Sequence, residues 1–295
     1  MENNNRDLNQ KILRKQNVST GCELKLFHTD NLEIPCLVFP GLEKTGVVKH
    51  LFSTKLGGVS KDIFATMNVS YTRGDEKEAV DENYRRIASC LDSKVEDFVC
   101  SDQTHTDNIR IVTKADCGKG TVYPKDYQDV DGLVTNEKDI VLATFFADCV
   151  PLFFVDPVEK VIGLSHSGWK GTVQKIGKKT VEMMGLHFGS KPENIHAAIG
   201  PSICQDCYEV SEDVIRQFKD CFDETLWKDL FYPTKPEKYQ LNLWEANRQI
   251  MIEAGIPESQ IEVTDVCTCC NPEILFSHRA TNGRRGNLGA FMKLV

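Results

Sequence analysis

Ala147-Asp148-Cys149-Val150-Pro151-Leu152-Phe153-Phe154-Val155-Asp156-Pro157-Val158-Glu159-Lys160-Val161-Ile162-Gly163-Leu164-Ser165-His166-Ser167-Gly168-Trp169-Lys170-Gly171 reads as strand, turn, strand and glycine-rich loop. Leu152–Val155 and Val161–Leu164 are short apolar runs of the kind buried strands use. Asp156-Pro157 starts a turn. A hairpin folded about Val158-Glu159 brings Cys149 within a residue or two of lying opposite His166. Opposed residues have Cβ atoms about 4.5–5.5 Å apart and diagonal ones about 7–8 Å, so one thiolate and one imidazole can share a cation. His105, in the polar loop Ser101-Asp102-Gln103-Thr104-His105-Thr106-Asp107, is the candidate third ligand. Two histidines and one cysteine leave a tetrahedral zinc one open position, the layout of a catalytic centre. The competing reading makes Cys149 a small buried residue and both histidines ordinary hydrogen-bonded groups.

Outward from this hairpin, strands are expected at Glu23–Phe27, Cys36–Phe39, Val47–Ser53, Asn108–Val112, Ile140–Phe146, His196–Ile199, Ile261–Val266 and Leu275–Ala280. Helices are expected over Asp75–Leu91, with Ala79, Asn83, Ile87 and Leu91 at helical spacing, and over Gly171–His187. Ser211 and Asn242 stand as caps for two more, Asn242 with Glu245 in a capping-box pattern. Strands occur both as hairpins and in alternation with helices. The expected fold is therefore a single α+β domain over residues 21–295, with mixed β-sheets packed against helices in an α/β/β/α-like stack. Residues 1–20 are polar and read as a frayed tail. Gly171 opens a helix directly after a glycine-rich loop, so its N–H groups and Lys170 could hold an anion. A plain tight connection is the alternative.

The chain has 295 residues, a net charge of -8 and no basic stripe, which excludes a nucleic-acid surface as the main function. No run approaches the ~18 apolar residues of a membrane span, and the polar start carries no secretory core, so a cytoplasmic location is expected. Twelve cysteines are then reduced or metal-bound. Cys204, Cys207, Cys267, Cys269 and Cys270 could together build a four-cysteine zinc site, but the spacing is loose and two of them are adjacent. Free, partly buried thiols are the reading adopted.

Several motifs occur in one order: Gln103-Thr104-His105, Asp131-Gly132-Leu133-Val134-Thr135, Ala147-Asp148-Cys149-Val150-Pro151-Leu152, His166-Ser167-Gly168-Trp169-Lys170-Gly171, Ala198-Ile199-Gly200-Pro201-Ser202-Ile203 with Cys207-Tyr208-Glu209-Val210, and Cys267-Thr268-Cys269-Cys270 with Phe276-Ser277-His278-Arg279. The set resembles the laccase-domain family, also described as multicopper polyphenol oxidases and as purine nucleoside phosphorylases. The resemblance runs from Val47 to the end. It implies zinc held by His105, Cys149 and His166, phosphorolysis of adenosine, inosine and S-methyl-5'-thioadenosine, and adenosine deamination. It implies pocket positions at Asn68, Arg85 and Gln103, although Arg85 also reads as a solvated helix charge and Asn68 as a turn residue. Lys55 and Lys170 stand where arginine is frequent, Ser167 replaces a common alanine, and His278 a usual tyrosine.

Under that reading the partners are small purine nucleosides and phosphate, with neither nucleic acid nor membrane. Arg85 and Lys170 are candidate phosphate ligands, and Asp148 or Asp131 candidate proton-transfer carboxylates in the catalytic set with His105, Cys149 and His166. Two other functions fit parts of the pattern. A copper-dependent polyphenol oxidase could use a two-histidine, one-cysteine copper, and Cu²⁺ outcompetes Zn²⁺ at such ligands. A trinuclear centre besides would demand more than the seven histidines present. A hydrolase acting on a cell-wall amide could use Cys149 and His166 as nucleophile and base.

Overall fold

Leu152 and Phe154 must face one way from their strand and Phe153 and Val155 the other, yet all four are fully buried. A strand apolar on both faces needs a layer on each side. The computed structural model, which describes residues 8–15, 21–29 and 32–295, supplies them. One six-stranded sheet contains β1 (Glu23–Thr29), β2 (Leu32–Val38), β3 (Val48–Ser53), β4 (Phe98–Cys100), β7 (Val141–Phe146) and β15 (Leu288–Leu294), in the order β1-β2-β3-β15-β7-β4. The other contains β5 (Ile109–Ile111), β6 (Gly132–Thr135), β8 (Val150–Asp156), β9 (Val161–Ser167), β10 (His196–Ile199) and β14 (Ile261–Val263), in the order β14-β10-β8-β9-β6-β5.

Phe153, Val155, Ile162 and Leu164 meet Leu37, Phe52, Leu142, Phe146 and Met292 between the sheets. Leu152, Phe154 and Val150 pack instead on the helices Ile176–Phe188 and Leu243–Glu253. On the far side Val80, Tyr84 and Ile87 of the helix Lys77–Cys90 cover the first sheet through Leu51, Val141 and Phe291. The result is the expected single α+β domain, layered helix, sheet, sheet, helix. A small third sheet, β11 (Glu209–Ser211), β12 (Phe231–Lys235) and β13 (Lys238–Leu241), pairs with neither large one, and its Val210, Phe231 and Leu241 join the core on the helix side of the second sheet.

Three local expectations change. Residues 8–15, within the segment read as frayed, pack on the domain: Ile12 is buried, Leu13 exchanges hydrogen bonds with the Asn271 side chain and Arg14 pairs with Asp265. Residues 1–7 and 16–20 of that segment lie outside the described residues. Leu275–Ala280 is no strand; the Ser277 hydroxyl accepts from Ala280 N–H and turns the chain into the short helix His278–Thr281. The helix expected over Gly171–His187 is two, Trp169–Val173 and Ile176–Phe188, broken at Lys175, whose φ of +57° no α-helix accepts. The Asn242 cap is present, its side chain accepting from Glu245 N–H at 3.1 Å.

Candidate metal centre and substrate cavity

β8 and β9 pair with Val150 opposite Ser167 and Pro151 opposite His166. Cys149 is two residues from Pro151, so the strand alternation carries its side chain to the same face as His166. Asp156, whose side chain accepts from Val158 and Glu159 N–H, closes the turn and holds this register. His105 arrives from its loop in a left-handed conformation with φ +66°. Its ring lies edge-on to His166 with centroids 4.9 Å apart, and its Nε2 is 3.8 Å from Cys149 Sγ.

Asp131 builds this arrangement. Wholly buried at the start of β6, it accepts from the backbone N–H groups of Thr104, His105 and Thr106, from the Thr106 hydroxyl, and from His166 Nδ1 at 2.7 Å. One carboxylate thereby bends the His105 loop and orients the His166 ring. With Nδ1 committed to Asp131, His166 turns Nε2 toward Cys149 and His105. Burial pushes the Asp131 pKa up, but the His166 bond and charge and the N–H donors outweigh it and hold the carboxyl below its ordinary range. Asp131 thus spends both carboxylate oxygens on positioning the His105 loop and the His166 ring.

Burial also opposes the Cys149 thiolate, yet the two imidazoles overcome it and lower its pKa to about 6. For His166 burial lowers the pKa, while the Cys149 thiolate and Asp131 raise it to about 9. An arrangement that shares a proton between thiolate and imidazole also suits a cation. The three ligand atoms lie within 4.8 Å of one another, which a tetrahedral ion with bonds of about 2.0–2.3 Å draws together with little movement. Gly168 makes room: a Cβ there would lie 3.0 Å from His105 Cδ2 and 3.1 Å from Cys149 Sγ.

His105, Cys149 and His166 line an open cavity of about 800 Å³. Of the other residues singled out in the sequence, only Gln103 lines it. Its side-chain amide pairs with both backbone groups of Phe145 and so ties the His105 loop to β7. Asp148 faces away; its carboxylate accepts from the Thr268 hydroxyl and Arg279 N–H, both at 2.7 Å, which anchors the chain beside Cys149. Asn68 is fully buried and spends its amide on Ser70, Asp75 and Asn287, shaping the loops behind the cavity wall. Arg85 is on the outer helix beside Glu82. Lys170 is exposed over the Trp169 ring and does not line the cavity. Ser167 explains its departure from alanine by bonding Asn247 Oδ1 in the helix layer.

The cavity's cations come from elsewhere. Arg73 and Arg285 both line it, and Arg73 NH2 donates to Gly283 O. Burial and the neighbouring Arg73 charge lower the Arg285 pKa to about 10. Arg285 NH1 donates to Gly286 O and to the Asn287 side chain, whereas its Nε is buried without a partner. Two guanidiniums lining one cavity favour an anion there. Tyr71, stacked on Tyr84 at 5.4 Å, and the exposed Tyr123 add aromatic surface to the wall. Arg284 and Arg285 are adjacent in the sequence; Arg73, separated from them by most of the chain, carries no local signal.

Fold and site together define a layered α+β protein with a two-histidine, one-cysteine metal-ligand set lining an open cavity. The chain belongs to the family described as multi-copper polyphenol oxidoreductase laccase, whose model matches residues 49–295. It is 39% identical over 245 residues to purine nucleoside phosphorylase YlmD of Bacillus subtilis (strain 168), a match covering 82% of this chain and 86% of that protein. It is 32% identical over 266 residues to adenosine deaminase RL5 from an unknown prokaryotic organism, covering 85% of this chain and 99% of the relative. The crystal structure of YlmD from Geobacillus stearothermophilus superposes with a TM-score of 0.82 at 35% identity, over 91% of this chain and 98% of the other. Among the described residues no helix is long and apolar enough to cross a membrane.

Proposed function

We propose that this protein is a zinc-dependent purine nucleoside enzyme. It splits adenosine, inosine and S-methyl-5'-thioadenosine with phosphate into free base and (methylthio)ribose 1-phosphate, and it hydrolyses adenosine to inosine and ammonia. The observation that carries this reading is the meeting, in one cavity, of the His105–Cys149–His166 ligand set with the Arg73–Arg285 pair. A nucleoside and a phosphate fit within about 800 Å³. The relatives' names support purine nucleosides as substrates of phosphorolysis and adenosine as a substrate of deamination.

His105, Cys149 and His166 would hold the zinc, which would supply Lewis acidity for activating a water. The chain's own residues do the rest. Arg73 and Arg285 hold the phosphate by charge, taking the role expected of Arg85 and Lys170. Tyr71 and Tyr123 offer ring faces to the purine. Asp131 keeps the proton on His166 Nδ1, so that the Nε2 lone pair points into the site. Asp148 and Asn68 hold the loops that carry Cys149 and Asn287.

The oxidase reading loses support from the histidines. Among the described residues only His105 and His166 fall in a ligand group; His50 is buried in the core and His28 pairs with Glu33 at the surface. The test is product analysis with adenosine, with and without phosphate, before and after metal removal. Adenine and ribose 1-phosphate only with phosphate, inosine with or without it, and loss of both activities on metal removal are expected. Phenol oxidation with stoichiometric copper and no nucleoside turnover would overturn the proposal. Full activity after complete metal removal would favour the thiol hydrolase.

A further inference from the structure

The five clustered cysteines stand at the far end of the Asp148 anchor, away from the substrate cavity. Four of them, Cys204, Cys207, Cys267 and Cys270, bring their sulfurs within 4.8 Å of one another, and none is in a disulfide. Two of the edges are 3.5 Å for Cys207–Cys270 and 4.0 Å for Cys204–Cys270. A tetrahedron with zinc–sulfur bonds of about 2.3 Å has edges of about 3.8 Å. A disulfide needs sulfurs about 2.05 Å apart. The cluster thus has the dimensions of a metal tetrathiolate rather than of a bridge.

Cys269, adjacent to Cys270, masks a regular spacing. The four that converge are two Cys-x2-Cys turns, Cys204-Gln205-Asp206-Cys207 and Cys267-Thr268-Cys269-Cys270, and Cys269 is left out. Paired turns of this spacing are the usual frame of a four-cysteine zinc site. An independent observation agrees. The backbone N–H groups of Cys204 and Cys270 both point at Cys267 Sγ, at 3.2 and 3.4 Å. Donors converging on a sulfur stabilise a thiolate, the form that binds metal.

We propose that Cys204, Cys207, Cys267 and Cys270 form a second, structural zinc site, distinct from the His105–Cys149–His166 centre. All four positions of the tetrahedron are filled by protein, so no ligand position is open for chemistry. Sulfurs this close leave no room for a cluster of several irons and sulfides between them. The site joins segments far apart in sequence. Thr268, inside the second turn, donates to Asp148 next to Cys149, and Asn271, just beyond it, holds Leu13 of the N-terminal segment. Lys15 of that segment pairs with Asp206 inside the first turn at 2.9 Å. The zinc would lock the loop that anchors the catalytic cysteine.

The test is metal content of the full chain, purified under reducing conditions without chelator and measured by elemental analysis. Two zinc ions per chain are expected. The double variant His105→Ala/Cys149→Ala should keep one, Cys207→Ser/Cys270→Ser should lose one, and Cys269→Ser should keep both. Should Cys207→Ser/Cys270→Ser fail to fold, cobalt loading of His105→Ala/Cys149→Ala decides: thiolate-to-cobalt charge transfer with the intense visible bands of a tetrahedral site is expected. A wild-type chain with a single zinc that disappears in His105→Ala/Cys149→Ala overturns the proposal. So does iron in place of zinc, or a spectrum without thiolate ligation.

Discussion

Asp131→Asn tests the claim that one buried carboxylate builds the metal centre. The substitution keeps volume and removes one acceptor. Asp131 Oδ1 serves His166 Nδ1 and His105 N–H, and Oδ2 serves the Thr104 and Thr106 N–H groups and the Thr106 hydroxyl. An asparagine has one oxygen for these two sets. If its amide nitrogen faces the threonines, two backbone N–H groups lose their acceptor. If it faces His166, His105 N–H loses its acceptor and the imidazole must take the opposite tautomer, placing a proton on the Nε2 meant for the metal. Each orphaned buried donor costs about 1–3 kcal/mol. Loss of a carboxylate behind a metal-bound histidine lowers affinity roughly 10–100-fold, or about 1.4–2.7 kcal/mol. Zinc affinity measured by competition with a chromophoric chelator should fall by that factor, and urea unfolding should show a loss of about 1–3 kcal/mol. A folded Asp131→Asn protein that binds zinc as tightly as wild type would refute the reasoning.

Gly168→Ala should weaken metal binding by at least tenfold in the same competition assay, because its methyl presses on both His105 and Cys149. Arg285→Gln should raise KM for phosphate about tenfold or more while sparing deamination, with Lys170→Ala near wild type in steady-state kinetics; the reverse ranking would return the anion site to Lys170. Burial, with a smaller push from Lys25, depresses the pKa of His50 from 6.5 to about 3, and its Nε2 accepts from Phe39 N–H. The unfolded chain takes up this proton first, so the stability it represents is present above pH 6.5 and lost as the pH falls toward 3. Between pH 7 and 5 the loss should be about 2 kcal/mol in denaturant titrations, and His50→Gln should flatten the slope.

The β8–β9 hairpin was legible because its information is local. Two apolar runs, an Asp-Pro turn and the alternation of a pleated strand suffice to bring Cys149 and His166 to one face. The layered fold followed from the same periodicities, since strands apolar on both faces require cover on both. Local spacing could not tell that Leu275–Ala280 abandons strand geometry, because that depends on a single serine capping a turn. Nor could it separate Asp131, which orients the ligands, from Asp148, which holds the chain behind them, because both are acidic residues beside a motif and differ only in what surrounds them. Arg73 with Arg285, and the two Cys-x2-Cys turns with Cys204 and Cys267 sixty-three positions apart, are tertiary facts. Side chains so far apart meet only where packed sheets and helices carry their loops to one place, and no pattern along the chain records that distance. The amino-acid sequence determined the strands, the hairpin and the ligand types; the packing of layers decided which charges and thiols share a site.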